Sequence, residues 1–191
     1  MKQNKKIAVT GGIGSGKTLF CEIIKGMGYE VLSCDDIYAE MLQEEEYLAL
    51  LKARFPDCFI DDMLDKKRLA ECVFTNPENR KALESLAHPI IMQRLLARME
   101  GKTAFAEVPL LFEGGYEGLF DCVIAVVRSD EERIRAVTAR NNLTESEILS
   151  RIKSQFDPAL LPTKKCIIVE NNGSKEDLAQ KTKKIITRLG F

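Results

Sequence analysis

Histidine is nearly absent from this 191-residue sequence, with His88 the only one. The six cysteines, at positions 21, 34, 58, 72, 122 and 166, are widely spaced and form no C-x-x-C pair. Zinc sites and dithiol redox motifs need Cys and His close together, so both are excluded. Several of these cysteines lie in apolar runs, where a reduced thiol packs as a small core residue. That usage points to a reducing, cytoplasmic compartment. The start, Met1 to Lys6, is polar, and no apolar stretch is long enough for a signal peptide or a membrane span. An excess of charge of either sign is missing too: 28 Lys and Arg against 29 Asp and Glu leave a net −1. No broad basic field therefore points to nucleic acid or an anionic membrane as partner. The one basic cluster, Lys181 to Lys184, falls in an expected C-terminal helix and reads as a solvated face. Internal repeats and low-complexity segments are absent.

What is present centres on Gly11-Gly12-Ile13-Gly14-Ser15-Gly16-Lys17-Thr18, a G-x-x-x-x-G-K-T phosphate-binding loop. Its flanks suit the motif. Ile7-Ala8-Val9 reads as a buried strand, and Leu19, Phe20, Ile23, Ile24 and Met27 recur at helical spacing before Gly28. Glycines let successive backbone N–H groups turn toward phosphate oxygens, and the opening helix adds its positive end. Lys17 can reach the β- and γ-phosphates, and the Thr18 hydroxyl can ligate Mg²⁺. The loop predicts a nucleoside triphosphate as ligand.

Further along, Tyr29 to Leu32 reads as a second strand, running into Ser33-Cys34-Asp35-Asp36. Carboxylates there stand at the sheet edge where ligands of open α/β sheets bind, as helix N-caps or as catalytic groups. Residues 37–101 show no strand pattern. They read as helices over 44–54, 66–74, 77–86 and 89–99, a block far longer than a plain crossover needs. Thr103 to Val108 is a third strand and Asp121 to Val127 a fourth, apolar enough to be buried on both faces. Ser129–Glu132 and Thr144–Glu147 read as capping boxes opening two helices. Cys166 to Val169 is a fifth strand, and the last helix runs to Leu189. Strands alternating with helices predict an α/β P-loop NTPase fold with a five-stranded parallel sheet.

GTPase signatures, N-K-x-D and D-x-x-G, are missing, and the third strand ends Ala104-Phe105-Ala106-Glu107, only a loose match to an ATPase machine. A small-molecule kinase is the favoured reading. Here the chain resembles a known family. Thr10 to Thr18, Ser33-Cys34-Asp35, His88-Pro89, the run Val108-Pro109-Leu110-Leu111-Phe112-Glu113 and the turn Asn171-Asn172-Gly173-Ser174 are similar in order and spacing to dephospho-coenzyme A kinases. The resemblance implies transfer of the γ-phosphoryl of ATP to the ribose 3′-hydroxyl of dephospho-CoA, the last step of coenzyme A synthesis. It implies a core of residues 1–36, 102–140 and 158–191, a helical acceptor-binding insertion over 37–101 and a short lid over 141–157. Small-molecule substrates are the implied partners, and a monomer is the expected form.

The roles implied by the family are as follows. Asp35 is the base toward the ribose hydroxyl, although Ser33 and Cys34 replace the first two residues of the family's D-A-D-type motif. Lys17 and Arg140 share the catalytic work, while Gly12, Ile13, Gly14, Ser15, Gly16, Lys17, Thr18, Arg140 and Asn171 bind ATP. Asp35, His88, Pro109, Leu110, Leu111 and Glu113 contact the acceptor, and Thr18 holds Mg²⁺. Arg151 is a further candidate for gripping phosphates. The family's additional arginine, four residues before Arg140, is Ala136 in this chain, and whether Arg133 or Arg135 substitutes stays open at this stage. Asn171 is retained in a final turn that otherwise departs from the family pattern, and is expected to pair with the adenine edge.

Overall fold

A computed structural model describes residues 4–139, 144–157 and 166–190. They form two compact units, Met1–Leu32 with Met99–Phe191, and Ser33–Arg98. The first unit is built on β1 (Lys6–Thr10), β2 (Val31–Ser33), β5 (Ala104–Glu107), β6 (Cys122–Val127) and β7 (Cys166–Glu170). These five strands make a parallel sheet in the order β2-β5-β1-β6-β7. The register sets Val9 opposite Glu107 on one side and Ile124 on the other. Strand order reverses at β1, so the loop leaving its carboxyl end sits at a topological switch point.

The apolar runs read from sequence explain the core. Ile7, Val9, Phe105, Ile124 and Val126 from the strands meet Phe20, Cys21 and Ile24 of α1 (Lys17–Gly26) and Leu178 and Ile186 of α8 (Lys175–Arg188). Phe20 and Phe105 are wholly enclosed, and each such side chain contributes about 1.5–3 kcal/mol over its exposed state. Tyr29 meets the Phe105 ring edge-on, with centroids 5.8 Å apart. Among the described residues, β6 has four consecutive buried positions, as a strand covered on both faces requires. The remaining helices of this unit are α6 (Asp130–Thr138) and α7 (Glu145–Lys153), which pack on each other.

Two expectations about helix starts met different outcomes. The Thr144–Glu147 box forms with both reciprocal bonds. The Ser129 box does not: Ser129 occupies the N-cap position without a side-chain bond. Its would-be partner Glu132 instead pairs with Arg128 and Arg135, ion pairing having outcompeted the cap. A box absent from the sequence reading, Ser174 with Asp177, opens α8.

The second unit contains α2 (Cys34–Met41), α3 (Glu45–Arg54), the strands β3 (Phe59–Ile60) and β4 (Met63–Leu64), α4 (Lys66–Thr75) and α5 (Pro77–Arg98). Its core joins Ile37, Met41, Leu51, Leu69, Ile91 and Leu95, with α2 and α4 both packed on α5. Two corrections to the sequence reading arise here. The stretch read as strand-free holds a small antiparallel hairpin, turned at Asp61 and Asp62, whose φ of 47° and 65° fit a two-residue type I′ turn. The two helices expected over 77–86 and 89–99 are one continuous 22-residue helix that carries Pro89 inside it. Proline there removes the N–H that would reach the Ser85 carbonyl and crowds that carbonyl with its ring, and the buried face of Ala87, Ile91, Met92 and Leu95 carries the helix through.

Candidate active site

The phosphate loop is shaped by its glycines and by the side chains around it. Gly14 and Gly16 have φ of 73° and 89°, backbone that favours glycine. Gly16 also lacks room: a Cβ on it would lie 2.1 Å from the Asn171 amide nitrogen. Gly16 then opens α1 without any side-chain cap, leaving the first-turn N–H groups directed at the loop.

Lys17 and Thr18, the first residues of α1, converge on Glu107 at the carboxyl end of β5. The Thr18 hydroxyl donates to Glu107 Oε1 at 3.3 Å, and the Lys17 ammonium stands 3.5 Å from the same oxygen. Glu107 had been read only as a loose strand-end match. Its signal lay in topology, since β5 pairs directly with the loop-bearing β1. Burial, with Glu107 adding to it, pushes the neighbouring Cys21 thiol up to about 12, so this sulfur stays a protonated donor near neutral pH.

Ser15 supplies the test of whether an anionic ligand fits. The residue is 2% exposed, and its hydroxyl has no hydrogen-bond partner among the described residues. A buried hydroxyl left unpaired costs about 1–3 kcal/mol, a deficit that a phosphate oxygen inside the glycine cradle would remove. Among the described residues no three Cys, His, Asp or Glu side chains form a metal cluster.

The other expected site residues fall as follows. Asn171 is buried, and its side-chain amide donates to the Ser15 carbonyl at 2.8 Å. Its backbone N–H reaches the Val127 carbonyl at 2.8 Å. One N–H of the Asn171 amide thus braces the phosphate loop. The Val108–Glu113 segment leaves β5 by way of a bond from Val108 N–H to the Val9 carbonyl, 2.9 Å. Pro109 and Leu110 are half-buried and Glu113 is exposed. Leu111, expected among acceptor contacts, is instead enclosed completely and anchors the segment in the core. Glu113 accepts the Phe156 N–H at 2.9 Å, and Phe112 stacks on Phe156 with centroids 4.6 Å apart. Pro109, Phe112, Glu113, Thr10, Gly12 and Phe156 are among the residues lining a small cavity of about 30 Å³ beside the loop.

Asp35 and Asp36 are exposed on the first turn of α2, immediately after β2. Neither is the N-cap. Ser33 holds that position, its hydroxyl accepting the Asp36 N–H at 3.3 Å, which leaves the Asp35 carboxylate outside the cap. His88 is half-buried within α5 and directly precedes Pro89.

Arg151 is exposed on α7, and Arg140 lies outside the described residues. Arg133 and Arg135 differ in placement. Arg135 is exposed and pairs with Glu132, whereas Arg133 is 6% exposed and directs its guanidinium at the phosphate loop, with Nε 2.9 Å from the Ile13 carbonyl. Arg133 was only one of two candidates in the sequence, and its partner Gln155 was not among the expected site residues. Helical spacing alone gives an arginine on α6 no inward bias.

A parallel sheet whose central strand runs into this loop, with lysine, hydroxyl and carboxylate converging at its end, defines a P-loop phosphotransferase. A family model described as dephospho-CoA kinase matches residues 5–177. The chain belongs to the dephospho-CoA kinase family and is a kinase. A Thermus thermophilus protein named dephospho-CoA kinase is 37% identical over 186 residues, covering 96% of this chain and 91% of the relative. A crystal structure from Thermus thermophilus superposes with a TM-score of 0.81 at 36% identity, over 98% of this chain and 99% of that one. The dephospho-CoA kinase from Campylobacter jejuni gives a TM-score of 0.71 at 31% identity, over 98% of each chain.

Proposed function

We propose that this kinase transfers the γ-phosphoryl of ATP to the ribose 3′-hydroxyl of dephospho-CoA, with the loop from Gly12 to Thr18 as the ATP site and Asp35 as the base. The observation that carries the reading is the meeting of Lys17 and Thr18 at Glu107 below the glycine cradle. Phosphoryl transfer asks little covalent chemistry of the protein and much positioning. Loop N–H groups and the Ser15 hydroxyl bind phosphate oxygens, and Lys17 neutralises charge on the transferring group. The Thr18 hydroxyl, oriented by Glu107 beside it, would hold Mg²⁺, and the chemistry that ion would supply is neutralisation of phosphate charge. Asp35 orients the acceptor hydroxyl and accepts its proton late, as the bond to phosphorus forms and ADP leaves.

The helical segment 37–101, with His88, and the loop residues Pro109, Leu110 and Glu113 form the acceptor side. Segment 141–157 is the lid that excludes water from the transfer, and Arg140 and Arg151 are its phosphate-facing cations. Asn171 contributes to the ATP site from beside the loop it braces, and Leu111 to the acceptor side through the segment it anchors. The protein acts in the cytoplasm as a monomer, the location being supported by six cysteines that form no disulfide.

The test is ADP release from Mg²⁺-ATP with dephospho-CoA, AMP or shikimate as acceptor, for wild type and Asp35→Asn. Release with dephospho-CoA alone, largely lost in the variant, is the expected result. Turnover with another acceptor would remove the substrate assignment, and full activity in Asp35→Asn would remove the base.

A further inference from the structure

Two side chains far from the motif in sequence close a ring of hydrogen bonds on the phosphate loop. The Ile13 N–H donates to Gln155 Oε1 at 2.8 Å. The same oxygen accepts Arg133 Nη2 at 3.0 Å, and Arg133 Nε donates to the Ile13 carbonyl at 2.9 Å. Both polar groups of a single loop residue are therefore held by partners that also hold each other. Ile13 stands between Gly12 and Gly14, where the backbone has little stiffness of its own. We propose that Arg133 and Gln155 are positioning residues for the nucleotide: a clamp that fixes the Ile13 peptide, and with it the shape of the phosphate loop. The inference rests on the loop being the ATP site and is independent of the acceptor.

Steric facts support it. A Cβ on Gly12 would lie 2.4 Å from Arg133 Nη2 and 2.7 Å from Gln155 Oε1, and one on Gly14 would lie 2.8 Å from the Arg133 carbonyl. Gly12 thus borders the clamp's side-chain ends, and Gly14 borders the backbone that carries Arg133. Electrostatics adds a second contribution. The Arg133 side chain is almost fully buried, and burial pushes its pKa below the ordinary arginine value against the opposing pull of Asp130. Asp130 is its one ion-pair partner among the described residues, at 3.3 Å and 61% exposed. A charge weakly neutralised in this way raises the positive potential where a triphosphate binds. The clamp also has an outer tether. Next to Gln155, Phe156 donates its N–H to Glu113 and stacks on Phe112, so the end of α7 is tied to the segment after β5.

The experiment is calorimetric titration of Mg²⁺-ADP into the full chain, together with steady-state kinetics, for wild type, Arg133→Ala, Arg133→Lys, Gln155→Ala and the double alanine variant. Each alanine variant is expected to weaken ADP about tenfold, which corresponds to about 1.4 kcal/mol. The KM for ATP rises with it, while the KM for dephospho-CoA stays within about twofold, because the lost contacts are on the nucleotide side. Arg133→Lys does not rescue, since one ammonium cannot make both directed bonds. The double variant is no weaker than the worse single one, as expected for two members of one ring.

Unchanged ADP affinity in folded variants would overturn the clamp, and so would strictly additive losses. If Arg133→Ala does not fold, Gln155→Ala decides alone, because that side chain is only half-buried; its ADP affinity at the wild-type value sinks the proposal. Clamp-dependent ADP binding in a protein that leaves dephospho-CoA unphosphorylated would support the clamp and remove the acceptor assignment.

Discussion

Around the phosphate loop, hydrogen bonds join residues far apart along the chain: Ile13 to Gln155, Ser15 to Asn171 and Thr18 to Glu107. In the helical unit Ser33–Arg98 the polar contacts are of another kind. Arg94 pairs with Glu44 at 2.5 and 2.6 Å, Arg98 with Glu40, and Lys52 with Asp62, all on exposed or half-exposed side chains. Water can replace the second kind of contact, so each contributes little. It cannot readily replace the first, where Asn171 and Arg133 are almost fully buried. The loop region is thus specified by directed bonds and the helical unit mainly by its apolar core.

The sharpest way to break this contrast is to remove charge at the loop. Lys17→Ala is expected to lower kcat/KM by about 10²–10³, the range for losing one group that stabilises developing charge, measured as ADP release. Asp35→Asn comes next, with kcat falling about 10²–10⁴, as for a lost general base, while Mg²⁺-ADP still binds by calorimetry. Gly16→Ala tests the directed bonds themselves. A side chain at φ of 89° and 2.1 Å from the Asn171 amide must displace that amide, and urea unfolding should show a loss of about 1–3 kcal/mol.

A smaller effect is expected from pH in the helical unit. Hydrogen bonds from Arg98 and Arg94 hold the Glu40 and Glu44 carboxyls below their ordinary values. Carboxylates depressed in the folded state stabilise above their unfolded pKa and lose that contribution as pH falls through the folded value. The unfolding midpoint should therefore drop below about pH 4.3, the ordinary glutamate value, and an Arg94→Met, Arg98→Met variant should show a shallower drop. An equally steep profile in that variant would remove these pairs as its source. The smallest effect is chemical. With its thiol pushed up to about 12, Cys21 should resist iodoacetamide at pH 8 in the folded protein and react once urea unfolds it.

How far the sequence carried these conclusions depends on the range of the interactions. Strong local signals were legible: the glycine loop between a strand and a helix, the apolar run of β6, and the capping box at Thr144. The hairpin at 59–64 was not, because its strands are two residues long and Asp61-Asp62 is a weaker turn signal than Asn-Gly. Pro89 argued for a helix boundary, but burial of the α5 face outweighed one missing hydrogen bond. At the site, Lys17, Thr18 and Asp35 could be named from motif and strand end. Glu107 needed strand pairing, and Arg133 with Gln155 needed a tertiary bond across 22 residues. Asn171 could be named from the final turn, but its bond to the Ser15 carbonyl, 156 residues away, could not.

The crowding at Gly12, Gly14 and Gly16 has a consequence for encounter with the nucleotide. The space a side chain would take at these positions is already filled by Arg133, Gln155, Val137 and Asn171, so the protein's own packing moulds the loop during folding. Conformational freedom settled at that stage is not lost again when a ligand arrives. Binding to such a preorganised cradle should be fast and nearly rigid, with its entropy cost confined to the nucleotide and to whatever closes over it.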